Sequence, residues 1–161
     1  MSLAISLRSR ILTVLAAVAL SLGVGVGNAR AQSTTQAVDV PARIQAMNDA
    51  ATRSTTAITT RQTRAIDRMV ELDGKNAPDR AILGAARVGK RAVEEAAERG
   101  RREVRKIAVR TIAQLTKQNA DPALITQVQQ ARDAALNTVN TATAAAKQAI
   151  NTKADELTGP A

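Results

Sequence analysis

The chain has 161 residues, of which 23 are Lys or Arg and 14 are Asp or Glu, giving a formal net charge of +9. It contains no Cys and no His, which removes disulfides, a thiol nucleophile, the commonest metal ligand and the usual near-neutral general base. Phe, Tyr and Trp are also absent, so no ring exists to stack on a sugar or an unpaired base.

The N-terminus has the grammar of an export signal. Met1 to Arg10 carries Arg8 and Arg10 and no acid, and residues 11–27 (ILTVLAAVALSLGVGVG) run without a charge. Asn28-Ala29-Arg30-Ala31-Gln32 follows, with Ala29 and Ala31 in a small-x-small cleavage pattern ahead of Gln32. A charged lead, an apolar run and a cleavage site in that order define a secretory signal. The run falls short of the roughly 20 apolar residues of a spanning helix. The expected organisation is a signal peptide over 1–31, a short polar lead over 32–40, a single helical domain over 41–158 and a tail over 159–161. The expected destination is the periplasm or the medium. The alternative is a chain anchored in the membrane by an uncleaved N-terminal segment.

Beyond residue 31 the sequence reads as helix throughout. Three prolines near capping residues divide it: Asp39-Val40-Pro41, Asn76-Ala77-Pro78-Asp79 and Asn119-Ala120-Asp121-Pro122. Asp121 suits the N-cap, with Pro122 at the first helical position. Asp73-Gly74 and Thr158-Gly159-Pro160 read as stops. These signals predict helices over about 41–72, 79–118 and 122–157. Abundant Ala favours them, while only 23 Leu, Ile and Val occupy the 130 positions from 32 to 161. The helices should therefore form readily and pack around a thin core.

The apolar positions recur every eleven residues: Met47, Ile58 and Met69, then Ile82, Val93, Val104 and Leu115, then Val128, Val139 and Ile150. Eleven residues in three turns is close to the natural helical repeat, so straight or slightly right-handed packing is expected rather than a heptad supercoil. Short connections fold neighbouring helices back on one another. The predicted fold class is all-α: three long amphipathic helices, each roughly 45–60 Å long, as an elongated antiparallel bundle or a coiled-coil-like hairpin array. Gly84, Gly89 and Gly100 each lower helix propensity by about 1 kcal/mol relative to Ala, which points either to close approach of a partner helix or to a helix that is simply loose.

No catalytic, cofactor-binding or metal-binding set emerges. Glu94, Glu95 and Glu98 form a carboxylate cluster, but bundle metal sites need a Glu-x-x-His partner. Glu95 precedes Arg99, and Glu98 precedes Arg102, at the four-residue spacing of helical ion pairs. Gly89-Lys90-Arg91 lacks the Ser or Thr that closes a phosphate loop. No Ser-His-Asp or Ser-x-x-Lys set is present.

The charge is unevenly spread. Between Arg80 and Lys117 eleven cations face four acids, whereas the first helical segment is balanced and the stretch after Gln118 carries three cations and four acids. Arg99, Arg101, Arg102, Arg105, Lys106 and Arg110 are the candidate contacts for an anionic partner. Export argues against nucleic acid, leaving an anionic membrane surface, an envelope polymer or an acidic protein.

The leading expectation is a non-enzymatic structural or interaction protein of the cell envelope, docking with a second copy or another helical protein. A reversible binder of anionic surfaces through the middle helix is the alternative. Thr141 to Ala149 (TATAAAKQA) resembles the eleven-residue repeat of group 3 late embryogenesis abundant proteins over that stretch, without the Lys/Glu richness of that family. The resemblance implies a hydrophilic protectant with loose helices as a third expectation. N-terminal sequencing of the chain recovered from an expressing bacterium should begin at Gln32; an unprocessed cytoplasmic chain would sink the export reading.

Overall fold

The computed structural model describes residues 37–159; the segment 1–31 expected to be a signal peptide, the expected cleavage residues Ala29, Ala31 and Gln32, and residues 160–161 lie outside them. Three helices account for nearly all of the described residues: α1 (Val40–Gly74), α2 (Asp79–Lys117) and α3 (Pro122–Thr158). All three pairs of helices pack against one another, so the fold is an all-α three-helix bundle with an up-down-up course. At about 1.5 Å per residue the helices run roughly 52–58 Å.

The helix ends follow the local chemistry. Asp39 caps α1, its carboxylate accepting from the Ala42 N–H at 2.9 Å. Asp121 caps α3 by accepting from Ala123 at 2.8 Å, with Pro122 in the first turn. Pro78 precedes α2 and gives no side-chain cap. The expected stop at Asp73-Gly74 is displaced: Gly74 stays helical, and the left-handed residue is Asn76, with φ 52°. There the Ala77 N–H reaches back to the Leu72 carbonyl at 3.0 Å. The second turn repeats this arrangement, with Asn119 at φ 49° and the Ala120 N–H on the Leu115 carbonyl at 3.0 Å. Asn tolerates the left-handed region because its short polar side chain can satisfy local backbone groups.

The eleven-residue lanes are the core. Met47, Ile58 and Met69 meet Ile82, Val93, Val104 and Leu115 of α2 and Val128, Val139 and Ile150 of α3, all 2% exposed or less. Ten of the twenty-one buried apolar residues are alanines, so the helices must approach closely to exclude water. The α1–α2 contact shows how. A Cβ on Gly89 would lie 2.3 Å from the Ala65 Cβ, and one on Gly100 would lie 2.2 Å from the Ser54 Oγ. Gly89 and Gly100 are eleven apart, as are Ser54 and Ala65, so one antiparallel register serves both contacts. The Ser54 hydroxyl sits 3.4 Å from the Ala96 carbonyl, and buried Thr111 and Thr143 donate to the carbonyls four residues earlier. Among the described residues no buried side-chain polar atom lacks a partner.

The glycines of α2 therefore separate by mechanism. Gly84 has nothing within 4 Å of an added Cβ, so Gly84→Ala should stabilise by about 0.5–1 kcal/mol through helix propensity alone. Gly89→Ala should destabilise by about 1–3 kcal/mol, because a methyl meeting a methyl forces the helices apart. Urea unfolding monitored by circular dichroism distinguishes them; the same sign for both would contradict the close α1–α2 contact.

Candidate functional site

The six basic residues singled out from sequence do not share a face. Their positions follow from the helical period: residues near the core lanes turn toward partner helices, and the rest face solvent. Arg101 turns toward α3 and keeps only 14% of its side chain exposed. It reaches Glu94, donates to Glu98 at 3.0 Å and to Asn140 at 3.2 Å. Arg102 points outward and pairs with Glu98 at 3.3 Å. Arg105 is exposed and unpaired on the side away from α1. Arg99, Lys106 and Arg110 lie on the flank of α2 that faces α1. Lys106 and Arg110 line a hollow there together with Arg43, Glu103 and Ile107.

The carboxylate cluster has a structural role. Glu94 bridges Arg101 on its own helix and Lys147 of α3, and Lys90 donates to Asn151 of α3 at 2.8 Å. These contacts tie α2 to α3 beside the alanine-rich core. The bond from Lys147, then that from Arg101, holds the Glu94 carboxyl below its usual 4.5 against the opposing effect of desolvation. Burial works against the charge on Arg101, but its bonds to Glu94 and Glu98 outweigh it and hold its proton more firmly. Glu71, held by Lys75 and Arg68, is lowered to about 2. Among the described residues, no group of three or more acids, His or Cys is placed to hold a metal ion.

Pairing separates the helices. Each cation of α3 (Arg132, Lys147 and Lys153) is held in an ion pair. The unpaired cations lie on α1 and α2. The sequence presents α1 as balanced, yet folding sorts its charges. Arg61, Arg64 and Arg68 line a hollow with Ala81, Ala85, Val88 and Ala92 of α2. Arg53 crosses to Glu103 of α2 at 2.7 Å, and Arg43 lines the hollow at the far end. All five arginines of α1 thus flank α2, a grouping that sequence reading overlooked. Its signal was available: Arg53 and Arg64 are eleven apart, as are Arg99 and Arg110.

Comparison with protein-family models, characterised proteins and solved structures found no match to this chain. Among the described residues no helix is long and apolar enough to cross a membrane.

The Glu94 bridge makes a pH prediction. A carboxyl lowered on folding stabilises above its unfolded value, and the contribution disappears as pH falls through the folded value. Glu94→Gln should cost under about 1 kcal/mol at neutral pH, since the pair is partly solvated. The gap to the parent should close as pH falls below the ordinary 4.5. Urea midpoints measured from pH 7 down to about 2 test this; a gap that persists in acid would deny the ion pair its role.

Proposed function

We propose that this chain is an exported, non-catalytic interaction protein of the cell envelope, a self-contained helical rod that engages anionic partners through the surface of α1 and α2. The supporting observation is the distribution of unpaired charge. Arg43, Arg61, Arg64, Arg80, Arg87, Arg91, Arg99, Arg105, Lys106, Arg110 and Lys117 make no ion pair or side-chain hydrogen bond among the described residues. Like charges crowded on one body oppose folding by mutual repulsion, and an anionic partner would relieve that repulsion on binding.

The core supports the same reading over self-assembly. A second copy would need an apolar stripe to cover, and among the described residues the exposed large apolar side chains are Val70, Leu83, Val88 and Val109. They fall at four separate places on α1 and α2 among charged and polar neighbours. Charge rather than apolar surface is what the rod offers to a partner.

The test is equilibrium binding of the full chain to three anionic probes at low salt: inorganic polyphosphate, polyglutamate and vesicles rich in phosphatidylglycerol. Binding to at least one, weakening steeply with added salt, is the expected result. Failure to bind all three would sink the reading. Circular dichroism melts at several concentrations belong beside it, and a melting point that rises with concentration would return self-assembly to first place.

A further inference from the structure

We propose that the groove between α1 and α2 is the anion-binding site, and that its occupant is a linear phosphate-bearing polymer lying along it. This inference rests on the anionic-partner reading above and goes further by assigning the surface and the ligand class.

The groove has two rims and an apolar floor. One rim is Arg43, Arg53, Arg61, Arg64 and Arg68 of α1; the other is Arg99, Lys106 and Arg110 of α2. From Arg43 to Arg68 the site runs about 37 Å along the helix. Two hollows open along it, one of about 500 Å³ beside Arg61, Arg64 and Arg68 and one of about 240 Å³ beside Arg43, Glu103, Lys106 and Arg110. Arg99 falls between the two, eleven residues from Val88 in the first and eleven from Arg110 in the second. Arg53 is committed to Glu103 and Arg68 to Glu71, leaving six cations free.

Of the acids of α1, Glu71 holds Arg68 at one end of the rim, while Asp49 and Asp67 stay clear of it. Asp49 accepts from Gln45 at 2.8 Å, and neither Asp49 nor Asp67 lines either hollow. The other grooves differ in kind. Between α1 and α3 the hollow is lined by Ile66, Gln148, Thr152 and the Lys153–Glu156 pair, and between α2 and α3 Arg101 and Lys147 are matched by Glu94 and Glu98.

The occupant follows from the shape of the charge. The six free cations, from Arg43 to Arg64, span about 32 Å with one roughly every 6 Å, a row that a linear polyanion with more closely spaced charges can follow along its whole length. Seven of the eight rim cations are arginines, whose planar forks match phosphate oxygens in pairs. The floor of the larger hollow has Leu72, Ala81, Ala85, Val88 and Ala92 and lowers the local dielectric, while Glu103 in the smaller one is balanced by Arg53. A partner helix would need a continuous apolar stripe, and Val88, at 67% exposure, is the only large apolar side chain strongly exposed there. A flat membrane would meet the rims yet leave the hollows between them unfilled, and no aromatic side chain is present to anchor in lipid.

The experiment compares the full chain with two charge-matched quadruple variants, using end-labelled inorganic polyphosphate as probe. Arg61→Gln, Arg64→Gln, Arg99→Gln and Arg110→Gln empty the groove. Arg80→Gln, Arg87→Gln, Arg91→Gln and Arg105→Gln remove the same charge elsewhere on α2. All eight side chains are solvent-exposed and unpaired, and circular dichroism checks that both variants keep the parent helicity. The groove variant should lose about 30-fold or more in affinity at low salt, and its logarithmic salt slope should fall by about 3, near 0.7 per lost contact. The control should lose under about threefold. Equal losses in both variants would overturn the groove assignment while leaving the anionic-partner reading in place. Parent binding to polyglutamate or anionic vesicles that equals or exceeds polyphosphate binding would overturn the ligand class. No binding to any probe would overturn both readings.

Discussion

The structure depends on how closely α1 and α2 can approach. A core in which nearly half of the buried apolar residues are alanines gains little from each side chain, because a methyl buries little area. Water is excluded only if the helix axes draw together, and packing then rests on many shallow contacts at short range. Gly89 against Ala65 and Gly100 against Ser54 set that distance at two points on one register. Each glycine lowers intrinsic helix stability by about 1 kcal/mol, and the pairing of two such positions with small α1 residues offsets that loss through contact unavailable to a larger side chain.

The same register decides where charge ends up. An eleven-residue step returns to nearly the same angle on the helix, so it lines up any residue type placed on it. Met47, Ile58 and Met69 lie on one lane; Arg53 and Arg64 lie on another. Once the glycine contacts fix which side of α1 faces α2, the arginines of α1 have no choice of neighbour. They flank α2 on the side where Arg99 and Arg110 also lie. The Arg53–Glu103 pair at 2.7 Å is the one direct bond between the rims, and it relieves only a small part of the repulsion. On the side of α2 that meets α3, Arg101 and Lys147 are matched by Glu94 and Glu98.

Much of this was legible in the sequence, for reasons that can be located. Helix extents and the buried lanes were readable because the eleven-residue repeat is an intrinsic property of the chain and needs no partner to reveal it. The Asp121-Pro122 start was equally local. The end of α1 was less so: Asp73-Gly74 looks like a stop, but the carbonyls of that last turn are satisfied through Asn76 and Ala77, and Pro78 bars further helix. The basic run of α2 was legible as composition but not as surface. A run counts charges along the chain, whereas Arg101 and Arg102 are neighbours in sequence that turn one toward α3 and one toward solvent. The charge grouping on α1 was hidden for a complementary reason. Summing Arg43, Arg53, Arg61, Arg64 and Arg68 against the acids of the same segment gives balance, and only the angle at which α2 packs shows that all five arginines flank it.

A thin core and a crowded cationic groove bear on each other. Contacts among alanines add up slowly along three long helices, so the stability left over from repulsion between the rims is set by how many turns pack in register. Lengthening the bundle adds core lanes in proportion, but it also adds room to space the arginines apart. At about 6 Å per free cation along the groove, neighbouring charges lie within a Debye length of one another at physiological salt. Their repulsion is then tempered by counterions rather than removed. A polymer that replaces those counterions with fixed anions releases them to solution, and the entropy of that release favours binding without any change in the packing beneath. A rigid, weakly packed rod is suited to such binding because the site is a charge pattern on one register, already in place before the ligand arrives.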